Sequence, residues 1–180
     1  MLNLKFANMK KLLVLIPALA IALASHSQDD GDKSKRPSPP AKAVETTKDG
    51  VTISIDYSQP SVKGRTIGKD LEPLPGKVWR TGANETTVFE VNKDVKIEGK
   101  TLPAGKYALF TIANGDDWVI IFNKTIKWGA FSYKENEDVL RVNVKSKKSP
   151  KFTEKFTISV GKDGKVSLWW GDYDVSFWVK

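Results

Sequence analysis

Val51-Thr52-Ile53-Ser54-Ile55-Asp56-Tyr57-Ser58 alternates apolar and polar side chains at every step. A period of two is the repeat of a strand with one buried and one wet face. The alternation returns downstream. Leu140, Val142 and Val144 share a face, and Phe156, Ile158 and Val160 share another. Val166, Leu168 and Trp170 follow, then Val175, Phe177 and Val179. Shorter apolar runs at 87–91, 107–112 and 118–122 complete the set. Asn114-Gly115, Asp163-Gly164 and Glu98-Gly99 suit tight hairpins, because these residues tolerate positive φ. Gly171-Asp172-Tyr173-Asp174 is expected to divide the last two strands. No segment after residue 47 carries a 3.6-residue apolar stripe, and no repeat of fixed period is present. The pattern predicts one all-β domain over 48–180, an antiparallel β-sandwich or jelly-roll-like barrel of about eight or nine strands.

Upstream the composition changes. Residues 28–47 mix Asp, Lys, Arg and Pro with almost nothing apolar. Such a segment buries too little to offset its ordering entropy, so it is expected to be a disordered tether, stiffened at Pro37-Ser38-Pro39-Pro40. Its basic run Lys33-Ser34-Lys35-Arg36 follows three Asp and is read as solvated linker. Residues 1–27 have the order of a signal peptide: Lys5, Lys10 and Lys11, an uncharged run from Leu12 to Ala24, then small residues. The run is shorter than the roughly 20 residues of an ordinary membrane span, so no transmembrane segment is expected. The reading places the protein outside the cytoplasm, in a periplasm, at a cell surface or secreted.

The chain has 180 residues, no Cys and one His, His26. Disulfides, thiol chemistry and Cys-ligated metals are excluded, and so is Ser-His-Asp machinery in the folded part. No metal and no cofactor are expected. Loss of the leader removes Lys5, Lys10 and Lys11, which lowers the net charge from +8 to +5. That balance is modest and interspersed with acids, so no nucleic-acid partner is expected.

Two polar loops carry the residue types of a site. In Val78-Trp79-Arg80-Thr81-Gly82-Ala83-Asn84-Glu85, Trp79 can anchor in the core or wall a cleft. Arg80 offers a planar fork for a carboxylate, phosphate or sugar hydroxyls. Thr81, Asn84 and Glu85 add donors and acceptors. Ser58-Gln59-Pro60-Ser61-Val62-Lys63-Gly64-Arg65 brings Lys63 and Arg65. Meeting loops would form a basic pocket with one buried acid; the other reading is a structural Arg–Glu clamp.

Both segments resemble the hallmark stretches of an uncharacterised bacterial family, domain of unknown function family 2911, which is common in Bacteroidetes. Leu102-Pro103-Ala104-Gly105-Lys106-Tyr107, Trp118-Val119-Ile120-Ile121-Phe122-Asn123 and Trp128-Gly129-Ala130 with Tyr133 and Asp138-Val139-Leu140-Arg141 resemble its later segments. Residues 66–76 depart from the family pattern in lacking an aromatic. The resemblance implies an exported domain without established activity. It carries over no catalytic residue.

Trp169 and Trp178 form a second candidate surface. Alternation turns Trp170 inward and Trp169 outward, and Trp178 opposes Phe177 and Val179. An exposed aromatic pair on neighbouring strands would bind sugar rings or a partner. Trp128 to Phe131 is expected to fold over one of them. Gly64-Arg65-Thr66-Ile67-Gly68-Lys69-Asp70 lacks phosphate-loop spacing. Three functions follow: a non-catalytic binding module for a glycan, small anion or envelope partner; a carbohydrate hydrolase or lyase pairing Glu85 with Asp56 or Asp138; or a structural envelope protein.

Overall fold

The computed structural model describes residues 32–128 and 130–180; the predicted leader lies outside them. The strands are β1 (Pro40–Thr46), β2 (Thr52–Ser58), β3 (Val78–Trp79), β4 (Val88–Val91), β5 (Val95–Ile97), β6 (Lys100–Leu102), β7 (Gly105–Asn114), β8 (Asp117–Asn123), β9 (Asp138–Val160) and β10 (Lys165–Trp178). No α-helix occurs among the described residues. The order β1-β2-β4-β7-β8-β9-β10, with β3 beside β7, makes one antiparallel eight-stranded sheet, and β5-β6 makes a second.

The long sheet curls over on itself, so one sheet supplies both walls of the core. The N-terminal part of β9 pairs with β8 and its remainder pairs with β10. The β9–β10 hairpin thereby returns across the inner face of β2, β4 and β8. Phe156 lies edge-on to Tyr57 and Trp79, and Phe177 meets Phe89 and Phe122. The Lys96 and Lys180 main chains exchange hydrogen bonds, which covers part of the β10 edge with β5. Ile53, Ile55, Leu109 and Trp170 fill the space between, each fully buried side chain being worth about 1.5–3 kcal/mol. On the outer face of β7 and β8, Ala108, Phe110 and Ile121 form a smaller cluster under Tyr133. This second cover makes Trp118–Phe122 almost wholly apolar instead of alternating.

The turns follow the sequence. Glu98 and Gly99 both have positive φ between the paired Ile97 and Lys100, and Gly115 and Gly164 turn two further hairpins. Three expectations are corrected. Residues 171–174 do not separate two strands: β10 runs through them, and Gly171, at φ 59°, sits at a register shift where β9 bulges. Residues 139–144 and 156–160 likewise belong to one strand, β9. Residues 28–47 are not a tether throughout. Asp32 caps a single turn over Lys33–Lys35, and Pro40–Thr46 pairs with Ser58–Thr52. Strand addition needs only main-chain donors and acceptors, and the small Ala41 and Ala43 turn inward.

Candidate ligand-binding site

The β3–β4 connection is built from unusual backbone. Thr81, Gly82 and Asn84 have φ of 52°, 154° and 55°. Asn accepts the left-handed region readily, but a β-branched Thr there is an outlier that its surroundings must impose. Thr81 is buried; its hydroxyl donates to Thr111 Oγ1 at 3.2 Å and its carbonyl accepts from Thr87 Oγ1 at 2.8 Å. Gly82 has no room for a side chain, since a Cβ would lie 3.0 Å from the Ser58 carbonyl oxygen. The Trp79 indole N–H donates to the Gly82 carbonyl at 3.0 Å, and its ring packs edge-on against Phe156. Strain held this firmly is a common companion of binding sites.

Arg80 is carried on that frame. Its Nε is buried and has no hydrogen-bond partner. It lines a cavity of about 180 Å³ with Arg65, Glu72 and Trp79. Arg65 reaches the cavity from the β2–β3 connection, with Nε donating to the Val62 carbonyl at 3.1 Å and Nη2 to the Ser61 carbonyl at 2.6 Å. Those bonds fix its fork and leave Nη1 uncommitted. Glu72 accepts from the Leu74 N–H at 2.8 Å, and no ion pair joins it to either arginine. Two arginines and one glutamate therefore line one cavity, and Arg65 lines a neighbouring one as well.

The rest of the predicted site divides. Glu85 is neither buried nor paired with Arg80. Its carboxylate accepts from Arg36 Nη1 at 2.7 Å, with Lys33 Nζ at 3.5 Å. The Arg36 hydrogen bond holds its carboxyl below the ordinary glutamate range. Asn84 Nδ2 donates to the Ser38 carbonyl at 2.8 Å. Asn84 and Glu85 thus strap residues 33–38 to the loop, and the basic run read as solvated linker supplies the partners. Lys63 is exposed, at φ 47°, with its N–H on Glu154 Oε1 at 2.7 Å; it does not line the Arg80 cavity.

Each carboxylate of the expected pairs is engaged by a cation. Glu85 and Asp56 line a second cavity of about 270 Å³. Glu85 is displaced away from the raised pKa that a general acid needs, and Asp56 is held by Lys42 Nζ at 3.1 Å. Asp138 accepts from Arg141 Nε at 2.5 Å, Asn123 Nδ2 at 2.7 Å and Tyr133 OH at 2.8 Å. Arg141 also donates to the Tyr133 hydroxyl. Burial first, then the Asp138 hydrogen bond, pushes the Tyr133 phenol up to about 12. Residue types alone missed this network, although Tyr133, Asp138 and Arg141 stand close together in the sequence. No group of three or more acids or His lies together to hold a metal among the described residues.

Trp169 and Trp178 do not form one platform. Both lie on β10, nine residues apart, on the order of 30 Å along an extended strand. Trp169 is half-buried, while Trp178 is 39% exposed beneath Lys180 Nζ. Trp128 and Phe131 cover neither and stand in solvent.

An all-β domain in which two successive connections each bring an arginine to one small cavity is the class of protein that the fold and site define. The chain belongs to the family described as protein of unknown function (DUF2911), whose model matches residues 38–179. That match begins just before β1, in agreement with an ordered strand at Pro40–Thr46. No curated protein and no solved structure matches the chain.

Proposed function

We propose that this is an exported, non-catalytic binding domain whose ligand carries an anionic group, carboxylate or phosphate, seated between Arg65 and Arg80. A small anion and an acidic glycan both fit that chemistry. The observation that carries the reading is the buried, unpartnered Arg80 Nε in a residue that lines one cavity with a second arginine, Arg65. A buried donor without an acceptor costs about 1–3 kcal/mol, and a planar fork pairs with two oxygens of an anion. Export rests on the leader pattern of residues 1–27. Binding has more support than hydrolysis, because Glu85, Asp56 and Asp138 are each engaged by a cation.

A thermal-shift screen of the protein against inorganic phosphate, citrate, uronic acids and neutral oligosaccharides tests it, with Arg80→Ala beside the wild type. The expected result is stabilisation by the anions that Arg80→Ala abolishes. An anion shift that survives Arg80→Ala removes the proposed seat. A flat response to the whole panel favours a structural envelope role.

A further inference from the structure

The connection between β8 and β9 presents a second surface, of different chemistry. Ile126, Trp128 and Phe131 are 42%, 58% and 78% exposed. Side chains of this size usually find cover, and a group of them held in water marks a contact surface. Lys127 and Tyr133, on either side of the tip, are tied to the domain. The Thr86 hydroxyl donates to the Lys127 carbonyl. Tyr133 packs on Phe110 with ring centroids 5.1 Å apart and is fixed by Asp138 and Arg141. The Trp128 and Phe131 rings lie 5.4 Å apart and tilted by 50°, so they form a wedge and no flat floor on which a sugar ring stacks against both.

Residues 124–134 contain Lys124, Lys127 and Lys134 and no acid. All three lysines are exposed. Glu135 and Glu137 follow directly, and Glu135 is paired with Arg141 at 3.2 Å. An apolar wedge containing Trp and Phe, in a segment with three exposed Lys, complements an anionic bilayer. The rings favour the boundary between headgroups and acyl chains, the lysine stems follow them, and the ammonium groups meet lipid phosphates.

We propose that residues 124–134 are a membrane-docking tip that seats Ile126, Trp128 and Phe131 in the interface of an anionic lipid bilayer. The proposed docking is peripheral; no helix among the described residues is long and apolar enough to cross a membrane. The proposal is independent of the Arg80 reading.

The test uses the full chain with phosphatidylcholine vesicles, with and without phosphatidylglycerol, some carrying brominated acyl chains that quench nearby tryptophan. The expected result is co-sedimentation with the anionic vesicles that weakens as salt rises, and quenching that Trp128→Phe removes. Ile126→Ala with Phe131→Ala should lower partitioning about tenfold or more while leaving the melting temperature in place. Residues 1–31 contain no Trp, so attachment through them leaves Trp128 unquenched. Quenching unchanged in Trp128→Phe, equal binding to neutral vesicles, a dimer that covers the tip, or Trp128 responding to a soluble oligosaccharide but not to vesicles would each overturn the proposal.

Discussion

Arg80→Met separates a ligand seat from a structural clamp by the sign of its effect. Met keeps most of the unbranched stem and removes the guanidinium. In the wild type, Arg80 Nε is buried without an acceptor and Arg65 faces the same cavity. An orphaned buried donor costs about 1–3 kcal/mol. Lost contacts of the guanidinium with the cavity wall offset part of that. The ligand-free variant should therefore gain about 1 kcal/mol, or roughly 2–4 °C in melting temperature for a domain of this size. In saturating anion the order reverses. A ligand at about a hundredfold its Kd stabilises the wild type by about 2.7 kcal/mol, and the variant gains nothing. Urea unfolding followed by Trp fluorescence, with and without phosphate or citrate, measures both arms. A ligand-free loss of more than about 1 kcal/mol would show that Arg80 holds the loop together, and the argument from its unpartnered Nε would fail.

Three further outcomes follow from other parts of the molecule. Glu85 has a lowered pKa because Arg36 donates to it, so its contribution is present above the ordinary glutamate value and lost as pH falls through the folded one; NMR amide shifts of residues 33–36 should titrate below the ordinary glutamate range, and Glu85→Gln should abolish that step. Tyr133, raised to about 12, has the opposite sign: stability is full below the unfolded phenol value and falls as pH rises towards the folded one, and Asp138→Asn should lower the phenol's pKa in a spectrophotometric titration. Gly164 has φ 84°, and a Cβ there would collide with the Val179 carbonyl oxygen, so Gly164→Ala should lose about 2 kcal/mol or more in urea unfolding; a loss under about 0.5 kcal/mol would show that the C-terminal strand yields freely.

What the sequence made legible follows the range of the forces involved. Alternation is local, so Ile53, Ile55, Leu168, Trp170 and Phe177 fall inside as their spacing demands, and the Glu98-Gly99 turn follows from backbone preference alone. Continuity is not local. Nothing in Gly171-Asp172-Tyr173-Asp174 states whether the chain reverses or bulges, because both use a positive-φ Gly; the partner strand decides. The same holds for charge. Arg80 and Glu85 are close enough in sequence to suggest a pair, yet three intervening positive-φ residues turn them to different cavities. Arg36 lies 49 residues from Glu85 and becomes its partner only because β1 pairs with β2 and carries the preceding turn alongside. A composition-based reading counts buried side chains and so overlooks an edge strand whose stability comes from main-chain pairing. The error at residues 40–46 and the misassigned partner of Glu85 thus have one physical origin: β1 brings Arg36 to Glu85, while the positive-φ residues after Arg80 leave that arginine at the cavity lined by Arg65 and Glu72.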